Sequence, residues 1–443
     1  MLTRSVTPSA AATGQHRQGK PSEQRQVRVV IKTSSPPVER RSRPKDRRDR
    51  IATAAAIAFS ERGYHGVSVE DIAAEVGITK SALYRHFPGK YALFLNSALI
   101  LLDALEAALE QSSGAHPGNP HEQLRAHLSS IIGTTITHRR TAGIYRWKRR
   151  YLHKKDRQPI RARSWEVNRA IRECVIRIRP ELSDGDAFVT VAAMLSVIGS
   201  ITAHSLVLSP RRVEQLLLDA CTAIAESDVA PTGRPATVPE AVPESAAVGN
   251  MREDLLRASV QLFHDRGYAE IGVEEIAAAV GLPASGVYRY YPSKADILAA
   301  AFYRAIDGLE AAVAEEVRTA TDPVDAVRAL TAVYVDLSFS QRELMSVYFA
   351  ELINVAPGPR ADLRLRQRSN IEQWAALLRE VRPELSVVES RFLIYGALNL
   401  VSDLGVFLGP AAAQQEAPRI HNLMMITLLG SNVPEGQAWH ASR

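Results

Sequence analysis

The sequence predicts an all-α protein made of two tandem units, and three observations carry that prediction. Apolar residues recur at helical spacing through most of the chain, no stretch alternates convincingly as a strand would, and one half of the chain repeats the other. Arg48 to Lys90 aligns without a gap onto Arg252 to Lys294, an offset of 204 residues, with 18 of 43 positions identical. Arg179-Pro180-Glu181-Leu182-Ser183 recurs as Arg382-Pro383-Glu384-Leu385-Ser386, which extends the duplication through a unit of about 200 residues.

Composition narrows the class. At 443 residues, 46% of them hydrophobic and 23% charged, the chain has the balance of a soluble globular protein of two or three domains. Cys174 and Cys221 cannot form a disulfide framework and sit in no CxxC or Cys/His cluster. The expectation is a reducing cytoplasm with no structural metal and no cofactor. No apolar leader stands near the N-terminus, and a cytoplasmic, nucleoid-associated protein is expected. Residues 1 to 50 hold 13 Lys/Arg against 4 Asp/Glu, so a tail at +9 precedes a remainder at −3. Residues 1–45 are too poor in apolar side chains to offset their ordering entropy and are expected to be a disordered basic arm. Such an arm either keeps the protein soluble or neutralises phosphates beside a DNA-binding module.

Each unit opens the same way. Ile51, Ala54, Ala55, Ala58 and Phe59 in the first, and Leu255, Leu256, Leu262 and Phe263 in the second, sit at helical spacing. The stops Arg62-Gly63-Tyr64 and Arg266-Gly267-Tyr268 put glycine where a helix end turns left-handed. Ser68-Val69-Glu70-Asp71 is a start signal for a short helix, Val69 to Val76, closed by Gly77. A third helix is expected from Lys80 to about Phe87, halting before Pro88. Two short helices joined by a three- to four-residue turn with glycine have helix-turn-helix spacing. Lys90 to Glu110 then reads as a long amphipathic helix, and further helices follow. The expected boundaries are helix-turn-helix domains at 46–92 and 250–296, larger helical domains at 93–226 and 297–432, and a Pro-rich linker at 227–249.

At this point the residues resemble the TetR family of bacterial transcriptional regulators. The likeness lies in Gly63-Tyr64, Asp71-Ile72-Ala73 and the run from Gly77-Ile78-Thr79-Lys80-Ser81 to Tyr84-Arg85-His86-Phe87-Pro88-Gly89-Lys90. It is echoed by Gly267-Tyr268, Glu275-Ile276-Ala277 and Gly281 to Lys294. The resemblance covers about 45 residues per copy and implies an all-helical regulator: three helices on DNA, a fourth leading to a ligand-binding domain, and two final helices forming a four-helix dimer interface.

A recognition helix presents its N-terminal side chains to base edges, which makes Thr79, Lys80 and Ser81 the candidate readers. The resemblance makes Tyr84, His86 and Lys90 phosphate contacts, and Ser68 and Arg85 complete the set. Core packing is the alternative for Tyr84, and a solvated surface position that for Lys90. The second copy offers Ser285, Tyr288, Arg289, Tyr290 and Lys294, but Lys80 becomes Ala284, Thr79 becomes Pro283 and Ser68 becomes Gly272. A weaker or differently specific half-site is expected there. A helical ligand-binding or interaction protein, with one or both heads no longer on DNA, is the competing class. No HExxH, GxSxG or phosphate loop points to an enzyme.

Ala187 to Leu208 is nearly uncharged, yet its hydroxyls and His204 favour a buried interface helix over a membrane span. Its counterpart is Phe392 to Leu408, and the following stretches are Arg211 to Ala225 and Pro410 to Leu429. Four such helices can close one bundle within the chain, an intramolecular pseudo-dimer that could also pair as a homodimer. The partners expected are a double-stranded DNA operator and a small apolar or amphipathic effector, acyl-CoA or lipid-like. Candidate pocket walls are Tyr145, Trp147 and Trp165 in the first unit and Tyr334, Tyr348, Trp374 and Tyr395 in the second, each with ordinary core packing as the alternative. Arg139 to Arg163 holds 11 Lys/Arg and one Asp. It reads as a solvated face, as a site for an anionic ligand, or as extra phosphate contact.

Overall fold

A computed structural model describes residues 44–114, 116, 118–143, 151–227 and 250–430. The arm up to residue 43, the linker from 228 to 249, Tyr145 and Trp147 lie outside the described residues. Within them the chain is all-α, with no strand.

The first head comprises α1 (Pro44–Arg62), α2 (Val69–Glu75) and α3 (Lys80–Tyr84). Gly63 and Gly77 take φ of +73° and +67°, the left-handed turns that a side chain would strain. Ser68 caps α2 reciprocally: its hydroxyl accepts from the Asp71 N–H at 3.0 Å, and its own N–H donates to Asp71 Oδ2 at 2.8 Å. The third helix is shorter than the sequence suggests. The N–H groups of His86 and Phe87 both fold onto the Leu83 carbonyl, and Pro88 can donate nothing further. Then come α4 (Lys90–Ser112), α5 (Pro120–Thr137), α6 (Lys154–Ile178), α7 (Asp184–Gly199) and α8 (Pro210–Glu226).

The second unit repeats the order with α9 (Met251–Arg266), α10 (Val273–Ala279), α11 (Ala284–Val287) and α12 (Lys294–Thr319). Its body is α13 (Pro323–Ser340), α14 (Arg342–Glu351), α15 (Pro357–Val381), α16 (Val387–Leu408), α17 (Pro410–Gln415) and α18 (Ala417–Leu429). The expected single helix from Pro410 to Leu429 is broken at Glu416, where Pro418 withholds an N–H. The apolar stretch from Ala187 to Leu208 is not one helix either. After Gly199 a 3₁₀ turn over Ser200–Thr202 leads into irregular chain, whose carbonyls are collected by Arg139: Nε donates to Ile201 O at 2.8 Å and NH1 to Leu206 O at 2.7 Å.

The two units meet through α7, α8, α16 and α18, which pack as a four-helix bundle. Among the described residues three helices, α4, Asp184–Thr202 and α16, are long and apolar enough to cross a membrane. Two of them, α7 with its 3₁₀ extension and α16, face each other in this bundle. The interface is reciprocal. Ser183 caps α7 and Ser386 caps α16, so that Asp186 and Glu389 stand at equivalent positions of the repeat. Arg419 of α18 pairs with Asp186 at 2.6 Å, and Arg212 of α8 pairs with Glu389. Ser196 and Asn399, also equivalent, meet each other: Asn399 Nδ2 donates to Ser196 O at 2.7 Å. Equivalent residues touch only on a symmetry axis, so a pseudo-two-fold passes here.

The core divides unevenly. One continuous apolar cluster runs from Phe59, Leu83 and Phe94 of the first head through both bodies to Leu429. The second head has its own cluster, Phe263, Ile276, Val287 and Phe302, closed by Val347, Val355 and Leu363. Cys174 and Cys221 are free and buried.

Candidate nucleic-acid interface

The first head gathers its polar residues around the start of α3. Thr79 caps the helix, its hydroxyl accepting from the Ala82 N–H at 3.2 Å, and Lys80 and Ser81 follow, exposed. Lys80 is engaged: its ammonium donates to Glu70 of α2, which raises the lysine pKa and lowers that of the glutamate. Both side chains are solvated, so this pair restrains Lys80 weakly and releases it readily to a base or phosphate. Tyr84 is 44% exposed and Arg85 is exposed beside it, so Tyr84 is not part of the buried core. His86 is half-buried; Leu83 and Phe87 are the buried partners beneath.

Lys90 is not a freely solvated lysine. Its ammonium sits 4.5 Å from the centroid of the Tyr64 ring, and burial lowers its pKa against the pull of Asp71. Lys294 goes further. It donates to the carbonyls of Tyr268 and Ile271, each at 2.7 Å, and lies 4.1 Å from the Tyr268 ring centroid. The lysine assigned to phosphate by resemblance therefore also pins the loop between the first two helices of each head, most firmly in the second copy.

The second head presents Ser285, Tyr288 and Arg289 to solvent, Tyr288 at 54% exposure, with Tyr290 half-buried. Its α10 keeps only the return bond of the cap, Gly272 N–H to Glu275 at 3.0 Å, because Gly272 has no hydroxyl. Glu274 stands where Glu70 does, exposed, and has Ala284 where Glu70 has Lys80. Thus the acid survives without its lysine, and this face is less positive than the first by that charge.

Two features escape sequence reasoning. Arg48 and Arg252 lie over the Phe87 and Tyr291 rings at 4.9 and 4.8 Å, holding α1 and α9 against the chain before α4 and α12. Their recurrence in the repeat was the available signal, obscured in the first copy by the basic arm. Tyr91, the second residue of α4, donates its phenol to Asp156 at 2.6 Å, accepts the His153 N–H at 2.9 Å and stacks flat on His153 at 3.6 Å. It ties α6 to the head across more than 60 residues, and Ala295 in the second copy gave no hint of it. A cleft of about 230 Å³ separates the heads, lined by Tyr64, His65 and Tyr151 on one side and Arg266, Tyr268, Glu270 and Glu351 on the other.

The candidate pocket walls do not converge. Trp165 is 45% exposed, stacked on Phe188 and overlain by Arg172, because its position on α6 faces outward. Tyr395 packs against His204 of the other unit, at 4.7 Å between ring centroids, and belongs to the interface. Tyr348 packs edge-on against Phe302, in the second head's core. Only Tyr334 and Trp374 lie together in the body of the second unit, both buried, their rings edge to face at 6.2 Å. Among the described residues no cluster of His, Cys, Asp and Glu could hold a metal ion.

Two three-helix heads, each with a capped two-helix turn and polar residues at the start of its third helix, make this a tandem helix-turn-helix protein. The sequence profile of the bacterial regulatory proteins of the tetR family matches residues 51–96 and 255–301, so both heads belong to the TetR family and the chain carries them in tandem. The chain is 34% identical over 85 residues to the transcriptional activator FasR of Mycolicibacterium smegmatis, covering 19% of this chain and 39% of that protein. It is 40% identical over 58 residues to IcaR of Staphylococcus aureus, a negative transcriptional regulator of the icaADBC biofilm operon, covering 13% of this chain and 31% of that one. The chain thus spans well under half the length of these relatives. Among solved structures, PfmR of Thermus thermophilus, a TetR-family regulator, aligns with a TM-score of 0.36 and 25% identity over 41% of this chain and 96% of that one. AibR, solved in complex with isovaleryl coenzyme A and operator DNA, aligns with a TM-score of 0.36 and 20% identity over 40% of this chain and 97% of that one.

Proposed function

We propose that the protein is a DNA-binding transcriptional regulator whose two heads read an imperfect inverted repeat as an intramolecular pseudo-dimer. The observation that carries this reading is the reciprocal interface: Arg419 with Asp186 and Arg212 with Glu389, equivalent pairs about a pseudo-two-fold. Two heads on a two-fold body suit half-sites about one helical turn, roughly 34 Å, apart. Thr79, Lys80 and Ser81 are its base readers; Tyr84, Arg85 and Lys90 are its phosphate contacts. In the second head Ser285, Tyr288 and Arg289 take those roles with fewer donors.

Footprinting the full chain on the DNA upstream of its own gene, at physiological salt, tests this. One chain protecting an inverted repeat is the expected result, and two chains per repeat would overturn it. Glu274, which has no ion-pair partner among the described residues, and the loss of Lys80's counterpart favour a second reading, in which the second head contributes no contacts. Protection of a single half-site would select that reading.

The regulator is further proposed to be a repressor released by a small amphipathic effector, bound in the second unit between Tyr334 and Trp374. Trp374 Nε1 is buried with no hydrogen-bond partner among the described residues, and a ligand acceptor would satisfy it. A panel of free fatty acids and short acyl-CoA thioesters, scored for release of the footprinted DNA, tests the effector. Release that survives Trp374→Phe would remove the indole from the site.

A further inference from the structure

The body of the first unit carries a cationic patch that neither its core nor its ion pairs explain. Lys154, Lys155 and Arg157 occupy the first turn of α6, all exposed. Most other arginines of this helix are committed. Arg163 pairs with Asp103 at 2.6 Å and also with Glu106, Arg169 bridges Glu166 and Glu173, and Arg172 reaches Asp184. Among the described residues the two lysines have no such partner.

Their position is fixed. The Tyr91 phenol bonds the His153 N–H and the Asp156 carboxylate and stacks on His153, so this turn is bolted to the residue that follows Lys90. Tyr151, just upstream, lines the cleft between the heads. The patch therefore begins three residues beyond a residue that lines the gap between the two heads. A duplex whose successive major grooves are read by those heads turns its intervening backbone toward that gap.

The second copy supplies an internal control. Arg366, with Asp307 at 2.7 Å, and buried Leu363 match Arg163 and buried Ile160, which sets the register of α15 on α6. In that register His153-Lys154-Lys155 becomes Ala356-Pro357-Gly358, and Tyr91 becomes Ala295. The lysines and their anchor are missing from the unit whose head lacks Lys80 and His86. Arg157 has a counterpart in Arg360, so what the second unit lacks is the lysine pair itself, missing along with the Lys80 and His86 of its head.

We infer that Lys154 and Lys155, with Arg157, form a third phosphate-binding surface, on the backbone of the DNA between the two half-sites. This rests on the DNA-binding reading above and adds to it a contact outside either head. Each phosphate neutralised releases condensed counterions, so the patch steepens the salt dependence of binding without reading sequence.

The experiment compares Lys154→Gln/Lys155→Gln with a control of equal charge, Arg125→Gln/Arg211→Gln, exposed elsewhere on the body. Binding of the full chain to a 40-base-pair duplex of random sequence, and to the footprinted duplex, is followed by anisotropy from low to physiological salt. The patch variant is expected to lower the slope of log K against log salt by about two units on both duplexes, with the control unchanged. An unchanged slope, or an equal change in the control, overturns the patch while wild-type binding still stands. Wild type that binds neither duplex overturns the DNA-binding reading, and the patch with it. If Lys154→Arg/Lys155→Arg fails to retain the wild-type slope, charge is not the cause and the inference falls.

Discussion

The two heads share a fold and differ in how they are held. The first is continuous with the body: Phe59, Phe94, Leu102 and Leu109 belong to one apolar cluster that reaches the four-helix bundle, and the Tyr91 latch adds a polar tie. The second has a separate apolar cluster that draws in Val347, Val355 and Leu363 from α14, the segment after it and α15 of its own body, with the Tyr268 N–H donating to Glu351 at 3.2 Å beside it. Its lysine is spent inward on two carbonyls, and its recognition helix lacks a lysine. One copy of the duplicated head has a core that runs on into the bundle, while the other packs on α14 and α15 in a cluster of its own and lacks the counterparts of Lys80 and His86.

The sharpest way to break this comparison is to empty each core. Phe59 and Phe263 are equivalent and fully buried, and replacing either by Ala should cost about 3–5 kcal/mol. The expected difference lies in what opens. Phe263→Ala should release amide exchange in α9 to α11 while the bundle stays protected; Phe59→Ala should lower protection through α4 into the body. Equal spread of exchange in both variants would mean the division of the core has no energetic meaning.

That division was not legible in the sequence, although much else was. The repeat, the glycine stops at Gly63 and Gly77, the Ser68 cap and the apolar faces of α1 and α4 follow from local rules that hold wherever the chain is placed. The exposed set at Thr79, Lys80 and Ser81 was legible for the same reason. What escaped is non-local. The Arg139 clamp on the chain after α7 and the latch at Tyr91 join residues more than 60 positions apart, and no periodicity encodes them. Trp165 and Tyr395 do not join the other candidate walls because helical spacing says which residues lie on one face, not whether that face meets a cavity, a neighbouring unit or water.

The interface asks whether the asymmetry of the heads extends to the body. Arg419 is buried, with its partner nearly so, whereas Arg212 is half-exposed. Arg419→Ala should therefore destabilise the bundle by about 3 kcal/mol, and Arg212→Ala by about 1 kcal/mol, in thermal unfolding. Burial acts to raise the Glu389 pKa, but Ser386 and Arg212 outweigh it and hold this carboxylate at about 2; Asp186 is also lowered. Depressed acids contribute stability above their unfolded values and lose it as pH falls. The bundle should weaken from about pH 4.5 down toward 2. A flat acid limb in wild type would sink both pairs as stabilising contacts.

On DNA, Lys80→Ala should cost about 1–3 kcal/mol at one half-site only, through lost base readout. Equal losses at both half-sites, measured on operators with one half scrambled, would contradict unequal heads. Lys294→Met should cost the second head about 1 kcal/mol of local stability by freeing the Tyr268 and Ile271 carbonyls. Lys90→Met should cost the first head less stability and flatten the salt slope by about one unit. If Lys294→Met instead changes the slope and leaves amide exchange in α9 to α11 untouched, the lysine faces phosphate in the bound protein.

The smallest effect tests the comparison by restoration. Ala284 occupies the place of Lys80, and Glu274 stands ready as Glu70 does, so Ala284→Lys rebuilds the pair with its partner already present. Ala284 is half-buried on the first turn of a four-residue helix, and the substitution should leave stability within about 0.5 kcal/mol. If the second head docks on DNA but lacks a cation, the variant should steepen the salt slope by up to about one unit and tighten the second half-site less than tenfold. If that head does not touch DNA, neither quantity will move, because a lysine facing solvent releases no counterions. The result therefore separates a head that binds weakly from one that has left the duplex, a distinction that loss-of-function variants in the same head cannot make.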